Sequence, residues 1–202
     1  MEPEVIAVLK RLELEDADER EAEETGAADV PMDDRMYTLH PDSSQLLHIM
    51  IQASGSKRIV ELGVAHGYST IWLAHAARIT GGRVTSLEIN PRAIELASKN
   101  LDEAGLADYV DFVLGDARET LRSLEGPIDF MLFDCWEWLY VECLDLTVPL
   151  LRPGGLLVAD NVTAGEPGVA EYLDALREHP LMETVSVPIG RDLEVSGKKL
   201  SA

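Results

Sequence analysis

The spacing of apolar residues changes along the chain, and the change separates a helical N-terminal part from a regular alternation of strands and helices. Over residues 2 to 24, Val5, Ile6, Val8, Leu9 and Leu12, extended at most by Leu14, trace one stripe at helical spacing. An acidic run from Glu13 to Glu24 completes that helix, reading either as a solvated face or as the cover of a subunit interface. Residues 25 to 41 read as a loop punctuated by Gly26, Pro31 and Pro41, and Asp42-Ser43-Ser44 then caps a helix to about Ala53. Beyond it the apolar runs Arg58 to Leu62, Arg83 to Ile89, Tyr109 to Leu114, Ile128 to Phe133 and Leu156 to Ala159 are separated by helix-length segments. Such short, continuously apolar strands predict a parallel sheet covered on both faces, with right-handed crossovers. Pro91 and Gly105 bracket a helix from Arg92 to Ala104, and Pro153-Gly154-Gly155 turns the chain into the fifth strand. Leu181 to Val187 and Asp192 to Lys198, joined around Gly190, predict a hairpin that gives the sheet an antiparallel edge.

The 202 residues suffice for one well-buried core, so residues 1 to 202 are read as a single α/β domain, doubly wound and mostly parallel. A formal charge of −20, from 37 acids against 17 bases, repels phosphate backbones and anionic headgroups, which argues against nucleic acid and membrane as partners. Twelve arginines against five lysines suit adaptation to high salt and suit a GC-rich genome equally well. The N-terminus has no basic start followed by an apolar core, and nowhere do about 18 apolar residues run together, so a soluble, cytoplasmic protein is expected. Cys135 and Cys143 stand at neither metal nor redox spacing and are expected to be small core residues.

The candidate chemistry begins at Val60-Glu61-Leu62-Gly63-Val64-Ala65-His66-Gly67-Tyr68-Ser69, with Glu88 where the next strand ends. An acid-tipped strand, a loop with glycines four apart and a helix start stand in series. Glycine suits places where backbone approaches a ligand closely, and a carboxylate at the second strand end can accept hydrogen bonds from two ribose hydroxyls. The Glu-x-Gly-x-x-x-Gly spacing departs from the loop that cradles a dinucleotide pyrophosphate, which disfavours a nicotinamide oxidoreductase. S-Adenosylmethionine carries no phosphate and suits the wider loop, while an ordinary strand-loop-helix that binds nothing remains the plain alternative.

Ligands of open α/β sheets bind beyond the carboxyl ends of the strands. Those ends carry Glu61, Glu88 with Ile89, Asp116, Asp134, and Asp160 with Asn161. So many carboxylates at one edge repel one another unless ligands or a cation neutralise some. Asp134, Asp160 and Asn161 offer only hard oxygen donors, a set that suits Mg²⁺ and leaves positions for a bidentate diol. Asp160-Asn161 is equally well read as a turn after a strand, and Asp134 or Asp160 as a helix cap.

Taken together, Val60 to Ala74, Glu88-Ile89-Asn90-Pro91, Gly115-Asp116-Ala117, Asp129 to Asp134, and Leu151-Arg152-Pro153-Gly154-Gly155 through Asp160-Asn161-Val162 resemble the cation-dependent small-molecule O-methyltransferases, over roughly residues 36 to 200. That resemblance implies a seven-stranded class I methyltransferase sheet with S-adenosylmethionine as cofactor and Mg²⁺ or a similar divalent cation. It divides the domain into an acidic N-terminal helix (1–24), a loop and helix over the cofactor site (25–57) and a core (58–202). It further implies that Gly63 and Gly67 shape the loop beside the methionine part, that Ser69 holds its carboxylate and that Glu61 supports that end. Leu39 packs near the same end, Glu88 takes the ribose hydroxyls, and Ile89, Asp116 and Ala117 frame the adenine. Asp134 ligates the metal and faces the cofactor's amino group, Asp160 and Asn161 complete the metal set, and Trp136 forms an aromatic wall for the acceptor. The acceptor is then a small hydroxylated molecule, aromatic or catechol-like. Related enzymes occur as monomers and dimers, and the apolar N-terminal stripe tilts the expectation toward a homodimer.

One departure stands out. The family places a lysine three residues after the metal aspartate, where it helps to deprotonate the attacking hydroxyl; here the run is Asp134-Cys135-Trp136-Glu137. Glu137 is open to three roles, as a general base, a further metal ligand or a surface residue, since geometry comes before any argument about protonation. His40 is a spare candidate base and His66 is ambiguous. The short stretch from Val162 to Gly168 leaves little material for a substrate lid, so a shallow acceptor pocket is expected between Trp136–Tyr140 and the loop from Thr25 to Pro41.

Overall fold

A computed structural model describes residues 1–200, Asp33 by its backbone alone. Along the chain run α1 (Pro3–Glu24), α2 (Pro41–Ser54), β1 (Arg58–Leu62), α3 (Tyr68–Thr80), β2 (Arg83–Glu88), α4 (Pro91–Glu103), β3 (Val110–Leu114), α5 (Ala117–Ser123) and β4 (Ile128–Phe133). They continue with α6 (Tyr140–Thr147), β5 (Leu151–Ala159), α7 (Val169–Glu178), β6 (Met182–Val187) and β7 (Leu193–Lys198). The seven strands form one sheet in the order β3-β2-β1-β4-β5-β7-β6, parallel from β3 through β5. The chain winds outward from β1 through β3, then starts again at β4 on the other side of β1. The crevice between the carboxyl ends of β1 and β4 is therefore the switch point where doubly wound sheets hold ligands.

Side chains alternate across the sheet as the pleat requires. Ile59, Phe130, Leu132 and Val158 pack with α1, α2 and α3 on one face, whereas Val60, Leu62, Met131, Phe133 and Leu157 pack with α6 and α7 on the other. The helix boundaries follow local chemistry. Pro41 and Pro91 occupy the first helical turns of α2 and α4, Asn90 and Asp116 cap α4 and α5 through their side chains, and Gly55 closes α2 in a left-handed conformation.

Three details differ from the sequence reading. β5 begins at Leu151, because Arg152 to Gly155 form an excursion within the strand: Ile128 pairs Leu151 and Phe130 already pairs Leu156. The antiparallel strand is β7, inserted between β5 and β6, so the edge strand β6 runs in the same sense as the parallel set. Cys143 is buried, whereas Cys135 is half-exposed and lines a cavity, so only one of the two cysteines is a core residue.

The N-terminal helix also does more than expected. Val5, Val8, Leu9 and Leu12 are buried in this chain's own core, which removes the reason the stripe gave for expecting a dimer. Its acidic run is not merely solvated. Glu19 Oε1 accepts the Met36 amide at 3.0 Å, Asp16 Oδ1 accepts that of Thr38 at 3.3 Å, and Glu23 pairs with Arg35 at 2.7 Å. The Tyr68 hydroxyl donates to Glu13 at 2.6 Å. Glu19 and Asp16 hang the segment 35–38 over the crevice by binding main-chain N–H groups that lie in no strand or helix, and Glu23 adds an ion pair to its Arg35.

At the other end of α1, Glu2 joins a hydrogen-bonded chain through α2 and α3. The Gln52 amide reaches His48 Nδ1 at 2.8 Å, His48 Nε2 reaches His75 Nδ1 at 2.7 Å, and His75 Nε2 reaches Glu2 at 3.1 Å, with Arg78 also on Glu2. The chain closes with each imidazole neutral and each Nε2 donating. Burial and the neighbouring His75 lower the His48 pKa to about 4, and burial lowers that of His75. The unfolded chain therefore binds more protons between about pH 6.5 and 4, so the stability carried by this link is complete above pH 6.5 and is lost as the pH falls toward 4. Urea unfolding as a function of pH should show this loss in the wild type and a shallower acid limb in His48→Gln; parallel curves for the two would refute the link.

Candidate functional site

A cavity of about 280 Å³ opens at the carboxyl ends of β1, β2 and β4, and a neighbouring one of about 360 Å³ lies between α1, residues 37–41 and the β6–β7 turn. The larger chemical inventory belongs to the first. Gly63, Ser69, Glu88, Ile89, Asp116 and Ala117 line it on the β1–β3 side, and Leu39, Asp134, Trp136, Glu137 and Asn161 line it on the other. Asp160 and His40 line the second cavity, while Glu61 and Gly67 lie beneath the first and line neither.

Glu61 is fully buried and accepts hydrogen bonds from Ser69 Oγ at 2.6 Å, Thr70 Oγ1 at 2.8 Å and Ser86 Oγ at 2.7 Å. Burial raises its pKa to about 7 against the opposing effect of those three hydroxyls. It fastens β1, β2 and the first turn of α3 to one another. Gly67 at the start of α3 has no side chain with which to cap the helix, so the N–H groups of Tyr68 and Ser69, both on the cavity wall, are available to an anion.

Glu88 is held by main-chain donors. Its Oε2 accepts from Val64 N at 2.8 Å and Ala65 N at 3.4 Å, and its Oε1 accepts from Ile89 N and Asn90 N, each at 2.8 Å. The carboxylate is thus fixed on the wall, with the long bond to Ala65 the one most easily exchanged for a ligand hydroxyl. Ile89 leaves 65% of its surface exposed, an apolar plate at the same wall. Asp116 caps α5 and holds the Arg118 guanidinium, contacts that lower its pKa to about 2.

The glycines serve a purpose the sequence did not disclose. A β-carbon on Gly63 would stand 2.1 Å from the carbonyl oxygen of Asp134, and one on Gly67 would stand 2.8 Å from the β-carbon of Ala97. Both residues have positive φ, +87° and +83°. Close packing of the β4 end and α4 against the loop, with positive φ at both positions, is by itself enough to demand glycine there.

Asp134 and Asp160 end adjacent strands, drawn together by Asp160 N donating to Phe133 O at 2.9 Å and by the buried Tyr140 hydroxyl, which lies 3.1 Å from Phe133 O and 3.0 Å from Asp160 O. Burial raises the pKa of Asp134 well above the carboxylate range, with Asp160, Glu61 and Glu137 adding repulsion. Burial likewise raises Asp160 to about 7. Asp160 is 5% exposed and its Oδ1 has no hydrogen-bond partner. Asn161 adopts φ +57°, a conformation asparagine tolerates, and lines both cavities. An orphaned buried carboxylate oxygen beside a second carboxylate and an amide is a donor set that fits a hard divalent cation. Among the described residues no three His, Cys, Asp or Glu side chains form a metal-holding group, so such a cation would rest on two acids and one amide.

Of the three roles open for Glu137, remoteness on the surface is set aside by its place on the cavity wall and by its repulsion of both Asp134 and Asp160. His40 instead caps α2, with its Nδ1 accepting from Asp42 N at 3.2 Å. Trp136 stacks on Trp138 at 4.8 Å and meets Tyr37 edge-on at 5.7 Å. Tyr37, in a left-handed conformation at φ +44°, and Arg191, from the β6–β7 turn, line both cavities. Neither bears a local motif, and only the topology brings them to the strand ends.

The O-methyltransferase family model matches residues 21–195. The chain belongs to the O-methyltransferase family. It stands with the S-adenosylmethionine-dependent enzymes that the strand-end motifs led us to expect. It is 35% identical to the catechol O-methyltransferase of Mycobacterium tuberculosis over 160 residues, 73% of this chain and 72% of that one. It is 38% identical to the catechol O-methyltransferase of Niastella koreensis over 129 residues, 62% of this chain and 58% of that one. Among solved structures, the O-methyltransferase TomG of Streptomyces achromogenes, involved in tomaymycin synthesis and in complex with SAM, superposes with a TM-score of 0.74 at 27% identity, covering 81% of this chain and 82% of TomG.

The contrast between two left-handed glycines tests the packing argument. Gly26→Ala has open space for its β-carbon and should cost about 1 to 2 kcal/mol for the backbone conformation alone. Gly63→Ala must also displace the Asp134 carbonyl, and should cost at least about 2 kcal/mol more in urea unfolding. Equal costs would mean that β4 gives way freely.

Proposed function

We propose that this family member transfers the methyl group of S-adenosylmethionine to a hydroxyl of a small catechol-like aromatic, with a divalent cation held by Asp134, Asp160 and Asn161. The observation that carries the reading is the orphaned Asp160 Oδ1 beside Asp134, where the second cavity adjoins the first, whose wall carries the backbone-held carboxylate of Glu88. The 35% identity to a catechol O-methyltransferase supports the acceptor class.

When bound, the cation supplies a Lewis acid that lowers the acceptor's pKa and orients its diol, and the cofactor supplies an electrophilic methyl group. The remaining work falls to side chains of this chain. Glu88 binds the ribose hydroxyls, with Ala65 N as the donor that yields to them. Tyr68 and Ser69 at the start of α3 bind the methionine carboxylate through their N–H groups. Ile89, Asp116 and Ala117 frame the adenine, and Leu39 covers the methionine end. Trp136 and Tyr37 confine a planar acceptor and exclude water, so that oxygen and methyl carbon meet in line. Glu137 lines the cavity wall and can take the hydroxyl proton on a carboxylate oxygen.

Two measurements test this. Calorimetric titration with S-adenosylmethionine should show binding that Glu88→Gln weakens about tenfold or more, as loss of a charged acceptor predicts. Mass-spectrometric assay of catechol methylation should show turnover with Mg²⁺ that falls at least about 100-fold in EDTA and returns on adding Mg²⁺. Turnover unchanged by EDTA would establish a metal-independent enzyme instead, and tight cofactor binding without turnover on a broad acceptor panel would establish a binding protein.

A further inference from the structure

The charge at the junction of the two cavities is unbalanced in a way that points to one further residue. Asp134, Asp160 and Glu137 all bear on this place, and an acceptor hydroxyl that loses its proton adds another negative charge. In the family a lysine stands at position 137; here that position adds to the excess. The cations on the cavity walls are differently placed. Arg35 lines the first cavity alone and is spent on the Val30 carbonyl at 3.1 Å and on Glu23 at 2.7 Å. Arg20 lines the second alone, on Asp16 at 2.8 Å. Arg191 lines both, together with Asn161.

We propose that Arg191 is the cation of the acceptor site: its guanidinium stabilises the oxyanion of the hydroxyl being methylated, supplying from the β6–β7 turn the positive charge that position 137 lacks. The proposal rests on the methyl-transfer reading above. Its backbone is anchored on both sides of the site. The Thr163 hydroxyl donates to the Arg191 carbonyl at 2.7 Å and Val162 N to that of Asp192 at 3.3 Å, which tie the turn to the segment that follows Asn161. On the other side Gly190 packs so closely on His40 that a β-carbon would stand 2.7 Å from that of the histidine. The guanidinium itself meets Glu166 at 3.1 Å with both side chains substantially exposed, a pairing of the kind that exchanges readily for a better-placed anion. Its charge already reaches the metal end of the site, where it opposes the rise in the Asp160 pKa.

Arginine keeps its proton at any working pH, so it acts as a fixed field and takes no part as a base. The acceptor proton leaves to the Glu137 carboxylate or to water. The oxygen lone pair then forms the O–C bond while the S–C bond breaks, its electron pair remaining on what becomes a neutral thioether sulfur. Arg191 is therefore a catalytic residue in that it faces the reacting oxygen, with Glu166 as its positioning partner.

The probe is 4-nitrocatechol, whose absorbance reports its own ionisation, titrated with pH on protein loaded with S-adenosylhomocysteine and Mg²⁺ so that no turnover occurs. Wild type should hold the bound phenol ionised at lower pH than Arg191→Gln or Arg191→Met by roughly one pH unit, a tenfold change in proton affinity. Arg191→Lys should recover most of that shift. Calorimetric affinity for S-adenosylhomocysteine, unchanged within about twofold in all three variants, shows that they fold. Titration curves of both neutral variants that overlie the wild type's overturn the proposal while leaving the methyl-transfer reading intact. No spectral change on adding the probe to wild type overturns the diol-acceptor reading, and this proposal with it.

Discussion

The carbonyl of Asp134 occupies the space where the β-carbon of any residue other than glycine at position 63 would have to stand. That single close approach sets the geometry of the sheet's upper edge. Asp134 N is bonded to Leu62 O and Gly63 N to Leu87 O, so the ends of β4, β1 and β2 are drawn into one compact row. Asp160 N on Phe133 O extends the row to β5, with the Tyr140 hydroxyl behind it. Glu88, Asp134 and Asp160 owe their positions to that row, because each sits at or one residue beyond a strand end. A looser edge would separate the acids and relieve their repulsion, and would leave no enclosed set of oxygen donors for a cation.

The row concentrates negative charge in a molecule already at −20. The protein manages this in two ways. Glu88 and Asp116 are satisfied by main-chain donors or arginine, and Arg118 lowers the pKa of Asp116, whereas burial raises the pKa of Glu61, Asp134 and Asp160, which hold their protons more tightly. The first group is suited to accepting hydrogen bonds from a neutral sugar, the second to gaining stability when a positive charge arrives. One site thus offers two kinds of carboxylate, sorted by depth.

Much of this was legible in the sequence, for identifiable reasons. β1 and β4 fall on the predicted residues because uninterrupted apolar runs bounded by charged or turn residues admit few other placements. The β5 boundary was missed because Pro153-Gly154-Gly155 reads as a turn, although the chain pairs again on either side of it. The strand-end acids were legible because the fold puts one loop position after each strand. The packing that also demands the glycines was not, since Asp134 and Ala97 lie 71 and 30 residues away from Gly63 and Gly67 and no local pattern announces them. The acidic stretch of α1 misled for a related reason: an acid that accepts a distant main-chain N–H looks, in sequence, like one that faces water. The Asp134-to-Glu137 run announced its departure openly, but that Glu137 and Arg191 line the same cavity could come only from the folded chain.

The acids of α1 that hold segment 35–38 have one more implication. The floor of the crevice is written into the strand ends, yet its ceiling hangs from the first helix of the chain, through bonds to main-chain N–H groups that are indifferent to which side chains the ceiling carries. Tyr37, the exposed residue between those two amides, can therefore be exchanged without redesigning its supports, whereas Met36 and Leu39 are fixed by the core. Selectivity for the guest molecule can drift in that short stretch while the machinery beneath it stays as it was.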